Sequence, residues 1–327
     1  MSNRSSGHRV LWALDPFTET EFHPPALIAT LARLTHLSRW KVSPVYVLSP
    51  DQLELSVDFS SPWAKAYLPA AQRALVQFLD TARAKWGFGP GVEKGRVILQ
   101  PKASQRASIL RLVAEAAAKK STFILSASHR RKGVDRFVLG SFAETLIHHA
   151  RSPLLLVSGD KGGQDPKSVL FATDFGKGSH EALLRLANVI VACAGDSPAG
   201  ARPRIHVFHA IPRPIEPVIQ AGVYLLASGW VPAPVFLEKE EARLRKSMTG
   251  WESKARKLLA KVPVELEFHV DSGSSGVVDA TLRAADRHHA AWIAVQSRKG
   301  PVGTALIGSI TRELARRSEL PLWVDRG

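Results

Sequence analysis

Two stretches of this chain carry residues of the types that can hold anions. In the first, Arg130-Arg131-Lys132 comes shortly before Gly140-Ser141; in the second, Arg298-Lys299 comes shortly before Gly308-Ser309. A helix that opens at a Gly-Ser step presents its first amides to an oxyanion, and guanidinium forks suit the same group. The step also has a plainer use. Ser141 with Glu144 three residues on fits a capping box, while Ser309 has Arg312 in that place. Both readings stay open: cationic loops that still bind a phosphate or another anion, or bare helix starts.

Three more turns belong with these loops. Asp15 and Asp174 each close a short apolar run, where an aspartate either touches a ligand or caps a helix. Asp174 is followed by the glycine-containing turn Phe175 to Ser179, which leaves room beside it; Asp15 is followed by Pro16 and Phe17, which crowd it. The turn Gly273-Ser274-Ser275-Gly276 precedes a helical stretch and offers amides of its own. Arg298, Lys299, Gly308 and Ser309 with Asp174, Gly273 and Gly276 therefore make a second-half site that ranks above a first-half site of Asp15, Arg130, Gly140 and Ser141. No Ser/His/Asp ordering, acid pair or metal-ligand spacing points to catalysis or to a bound metal. His148-His149 and His288-His289 are adjacent on helices, so their rings point different ways and read as helix-end dipole contacts.

The elements that must position these loops occur twice. Ser121 to Ser128, Gly140-Ser141 and Pro153 to Val157 recur as Ala290 to Ser297, Gly308-Ser309 and Pro321 to Val324, and each Gly-Ser step precedes its proline by the same interval. Short apolar runs alternate with helical segments in both halves: strands at Arg9 to Leu14, Val42 to Leu48, Arg96 to Gln100, Thr122 to Ser126 and Leu154 to Ser158, then Ser168 to Ala172, Arg204 to Ala210, Val264 to Val270, Trp292 to Val295 and Leu322 to Val324. This alternation predicts an α/β fold of two doubly wound, parallel five-stranded sheets with helices on both faces. The domains run 1–158 and 167–327, with 159–166 a polar, Gly-rich linker. A proline-rich insertion, Ile211 to Val235, precedes a helix expected from Glu238 and reads as packing or as a docking flap.

The 327 residues carry one cysteine, Cys193, and a net charge of +15. Cys193 lies among apolar residues, a buried helical thiol in a reducing compartment. No run of about 20 apolar residues exists to span a bilayer, so a cytoplasmic protein with no membrane partner is expected. The basic residues are scattered along helices with no aromatic interleaving, so nucleic acid is not the expected partner, though a basic adaptor for nucleic acid or an acidic protein is an alternative reading.

On these residues the chain resembles a tandem universal stress protein, two such domains in one polypeptide. The likeness rests on the openings Val10-Leu-Trp-Ala-Leu-Asp15 and Val169-Leu-Phe-Ala-Thr-Asp174, the Gly140-Ser141 and Gly308-Ser309 segments, and the closing strands. It implies an adenine nucleotide alpha hydrolase-like fold and a pairing of the two halves through Leu154 to Ser158 and Leu322 to Asp325, with a further homodimer and an unidentified protein partner possible. Nucleotide-binding members carry Gly-x-x-Gly before Gly and Ser or Thr. Here the glycine places hold Ala127 and Arg130, and Gln296 and Lys299 or, counted strictly from Gly308, Val295 and Arg298. The resemblance thus implies a non-catalytic stress-response role with degenerate ATP loops and no resident cofactor; its alternative is an adenine-nucleotide or other phosphate-ligand sensor in the second domain.

Overall fold

The computed structural model describes residues 7–18, 23–53, 58–127, 141–158, 161, 165–194, 202–211, 223–226, 229–271, 276–297 and 308–326. The first half runs β1 (His8–Ala13), α1 (Pro25–His36), β2 (Trp40–Leu48), α2 (Ser61–Trp86), β3 (Arg96–Leu99), α3 (Gln105–Ala118), β4 (Phe123–Ala127), α4 (Ser141–His149) and β5 (Leu154–Val157). The second runs β6 (Ser168–Ala172), α5 (Ser179–Ala194), β7 (Arg204–Ala210), β8 (Val223–Leu226), β9 (Gly229–Pro232), α6 (Ala233–Leu258), β10 (Glu265–Asp271), α7 (Val277–Arg287), β11 (Trp292–Gln296), α8 (Ser309–Arg317) and β12 (Leu322–Asp325). Leu, Val and Ile runs without alternation form strands that are buried on both faces, as parallel strands covered by helices must be.

The two expected five-stranded sheets are fused into one of ten strands, in the order β3-β2-β1-β4-β5-β12-β11-β6-β7-β10. Neighbours within each half are parallel; β5 and β12 meet antiparallel, with Leu156 opposite Leu322, Leu155 opposite Trp323 and Leu154 opposite Val324. The cause is burial. Both closing strands are wholly inaccessible, so their edge amides and carbonyls need partners, and each strand supplies the other's. Leu155 and Trp323 hold the same place in the repeat, two residues after Pro153 and Pro321, so the order reads alike from either edge.

One face of the sheet is covered by α1, α2, α5 and α6, the other by α3, α4, α7 and α8. On the first face an aromatic row crosses the join: Trp40 to Phe123 at 5.8 Å, Phe123 to Trp323 at 5.4 Å, Trp323 to Trp292 at 6.4 Å between ring centres. Polar ties accompany it. Arg33 donates twice to the Cys193 carbonyl (3.0 and 2.7 Å) and pairs with Asp165 at 2.9 Å, and Trp40 Nε1 donates to the Ala192 carbonyl at 3.0 Å. The Cys193 thiol beneath them is buried, and burial pushes it up to about 12.

Two local expectations are corrected. The capping box at Ser141 does not form: its hydroxyl accepts from Gln105 Nε2 at 2.9 Å, and Glu144 crosses to Arg312 of the other half at 2.9 Å. A full charge opposite draws the carboxylate more strongly than a neutral amide. The insertion holds an antiparallel hairpin, β8 with β9, and α6 starts at Ala233 instead of Glu238. Pro234 is no obstacle there, because first-turn amides have no intrahelical acceptor.

If the aromatic row binds the halves together, Trp323→Ala costs about 3–5 kcal/mol of stability. Urea unfolding should then show one transition for the whole chain at a lower midpoint; two separate transitions, only the second shifted, would refute the shared core.

Candidate functional site

Strand order reverses between β1 and β4 in one half and between β6 and β11 in the other, and a doubly wound sheet opens a crevice outside the strand ends at such points. The chain has a cavity at each. The first, of about 270 Å³, is lined by Asp15, Tyr46, Gln105, Ser108, Ser126 and Ala127 among others. The second, of about 360 Å³, is lined by Asp174, His209, Thr281, Gln296, Gly308 and Ser309 among others. Both are mainly apolar, with one aspartate at the rim.

The two aspartates sit in the same local structure. Asp15 Oδ1 accepts from the Phe17 amide at 3.0 Å, and Asp174 Oδ1 from the Gly176 amide at 3.1 Å, the Asx turn that this side chain favours. Pro16 and Phe17 do not push Asp15 off the cavity wall, because the Phe17 ring swings out to meet Tyr46 edge-on at 5.7 Å. Tyr46 is 2 % exposed, and its hydroxyl has no hydrogen-bond partner among the described residues. Burial and then the Asp15 charge raise its pKa.

The second turn is locked. Phe175 takes a left-handed φ of 57° and stacks on His209 at 5.0 Å, with Trp251 at 5.4 Å. Trp251 Nε1 donates to Ser179 Oγ (2.8 Å), Ser179 donates to the Gly176 carbonyl (2.6 Å), and His209 Nδ1 donates to the Thr173 carbonyl (2.7 Å). Gly178 has φ 86°, and a Cβ there would stand 2.6 Å from Gln296 Nε2. That amide donates to the Lys177 carbonyl at 3.1 Å, so Gln296 ties the end of β11 to the turn after β6.

Of the residues singled out in the sequence, Asp174, Gly308 and Ser309 line the second cavity and Asp15 the first; Ser141 begins α4 beside Gln105, and Gly276 is the extended residue before α7. Arg130, Gly140, Gly273, Arg298 and Lys299 lie outside the described residues. Sequence reasoning missed Tyr46 and His209, whose signal is a polar ring near the carboxyl end of an otherwise apolar strand. It also read His288 only as a helix-end contact, whereas the fold gathers His206, His269 and His288 into one group.

The model of the universal stress protein family matches residues 8–158 and again 166–326. Among solved structures, the chain is similar to a universal stress protein from Archaeoglobus fulgidus DSM 4304 at 19 % identity, over 98 % of each chain, with a TM-score of 0.60. It is similar also to a functionally unknown protein from Pseudomonas aeruginosa PAO1 at 16 % identity, over 98 % of this chain and 92 % of that one, with a TM-score of 0.52. At these identities the likeness is one of fold. No curated protein matches the chain.

The contact between Gly178 and Gln296 has a measurable signature. Gly178→Ala places a methyl group against the amide in a left-handed residue, and should destabilise the chain by more than about 1 kcal/mol. In a Gln296→Ala background the same change should cost less, since only the backbone strain remains; equal costs in both backgrounds would show that the two side chains do not meet.

Proposed function

The chain belongs to the universal stress protein family, with a domain in each half, and we propose that it is a non-catalytic, cytoplasmic stress-response protein that acts by binding, with both nucleotide loops degenerate. The observation that carries this reading is Gln296. It stands at the end of β11, where nucleotide-binding relatives carry glycine so that the backbone can approach phosphate oxygens. Here a side chain fills that approach and is committed to the Lys177 carbonyl. Ala127 takes the matching place at the end of β4, so neither half offers the bare backbone that the phosphates need.

The cavities themselves support a ligand of another kind. Both are largely apolar and carry an aspartate at the rim, a setting for a small flat or hydroxylated molecule more than for a triphosphate. If ligand sensing is the role, the second half is the better candidate, because its cavity is the larger, about 360 against 270 Å³, and opens at Gly308 and Ser309 at the start of α8.

Calorimetry with magnesium-ATP should show no binding tighter than roughly 1 mM, about −4 kcal/mol. A micromolar complex would overturn the degenerate-loop reading and make ligand sensing the function. Asp174→Ala and Asp15→Ala then assign the half: the second-half reading requires that only the former weaken the complex.

A further inference from the structure

The β7–β10 edge of the sheet carries a group of side chains unrelated to either crevice. In the parallel register of these strands His206 lies opposite Glu267, and His269 opposite Phe208, so His206, Glu267 and His269 share one face. The α7 helix packs over that face and ends at His288, whose carbonyl accepts from Ser168 Oγ at 3.0 Å. His206 Nδ1 stands 3.1 Å from His269 Nε2, and the His288 ring centre is 4.3 Å from that of His206 and 4.1 Å from that of His269. Ligand nitrogens of all three lie within 4.8 Å of one another. Glu267 Oε2 is 3.2 Å from His206 Nδ1 and 3.8 Å from His269 Nε2, while its Oε1 is held by Arg204 Nε at 3.0 Å.

We propose that His206, His269 and His288, together with Glu267, form a binding site for a divalent transition metal of the zinc class. Three separate elements converge on this point, and hydrophobic packing alone gives no reason to gather three imidazoles, His288 stacked on His206 and His269 tilted against both, beside a carboxylate. The spacing fits the ion. Ligands about 2.1 Å from a tetrahedral zinc stand about 3.4 Å from one another, and the 3.1 and 3.2 Å separations at His206 Nδ1 are a little shorter than that. His288, half-buried at a helix end, closes the remaining gap by side-chain rotation. Arg204 positions the carboxylate by one oxygen and turns the other toward the imidazoles, the outer-shell role that orients a ligand. Imidazole with carboxylate selects zinc, cobalt, nickel or copper over magnesium or calcium, which prefer an all-oxygen shell.

Among the described residues, Arg204 and Arg287 face the group on the positive side and Glu267 on the negative, with the His289 imidazole beside His288. An arriving cation meets two guanidinium groups, and the Glu267 carboxylate offsets them. β10 is the sheet's edge strand, so the ion would clamp that edge to β7 and to the end of α7.

The test uses the full chain, free of any polyhistidine tag and stripped with chelator. Zinc chloride titrated at neutral pH should bind at one equivalent and raise the melting temperature; cobalt chloride should give the intense visible bands of tetrahedral coordination; magnesium and calcium chlorides should do neither. Removing an outer-shell partner costs about 10- to 100-fold in metal affinity, so removing a ligand by His269→Ala or His288→Ala should cost more than about 100-fold, and Glu267→Gln a smaller factor. His269 and His288 are half-buried, and far-ultraviolet circular dichroism checks that these variants fold even if His206→Ala does not. Failure of the wild-type chain to take up zinc, or zinc binding unchanged in both folded histidine variants, overturns the proposal.

Discussion

The antiparallel pairing of Leu154–Val157 with Leu322–Asp325 is the constraint on which the molecule is built. Each strand is buried on both faces and would otherwise leave a row of amides and carbonyls without partners in an apolar setting, at a cost per group comparable to a lost hydrogen bond. Pairing one with the other satisfies both rows at once, and it also settles direction. Because the join is antiparallel while everything inside each half is parallel, the carboxyl ends of the two sets of strands point to opposite rims of one sheet. The two crevices therefore face away from each other, and a small ligand in one does not touch a ligand in the other.

What the halves share is the scaffold; what differs is how each crevice is finished. In the first, Ala127 ends β4, and the Tyr46 hydroxyl, without a hydrogen-bond partner among the described residues, lines the same small cavity as Asp15. In the second, Gln296 and the Phe175–His209–Trp251 stack fix the turn after β6 at the expense of a left-handed phenylalanine. Residues held in such conformations persist only where their surroundings over-determine them. Here the surroundings are two hydrogen-bonded rings and a glutamine, so the second crevice is preorganised by side chains.

Much of this is legible in the sequence. Repeated apolar runs, each closed by a polar turn, locate all ten strands of the main sheet, and equal spacing to Pro153 and Pro321 reveals the duplication. Periodicity reports burial, and burial decides where strands lie. It says little about a side chain's choice of partner. Nothing in Ser141-Phe-Ala-Glu144 reveals that Glu144 leaves its own helix end for Arg312, because the competitor sits in the other half of the chain. His206, His269 and His288 are equally silent. They are far apart in sequence, and only the β7–β10 register and the end point of α7 bring them together. The β8–β9 hairpin escaped notice for a different reason: prolines at both ends of the insertion mask two strands of four residues each.

Glu144 and Arg312 stand at equivalent positions of the repeat and meet near its symmetry axis. In an assembly of two identical chains, a residue in that place faces its own copy, and neither glutamate nor arginine tolerates that without repulsion. Fusion removes the requirement of self-complementarity, so the two copies of the position have diverged to opposite signs. Leu155 and Trp323, at the centre of the join, have diverged in size in the same manner, a small side chain against a large one. Each such step trades autonomy for fit. Two copies of the first half would set carboxylate against carboxylate and leave space opposite Leu155; two copies of the second would set guanidinium against guanidinium and crowd two indoles together. The duplication is in this sense entrenched, since at these two positions each half is fitted to the other and not to itself.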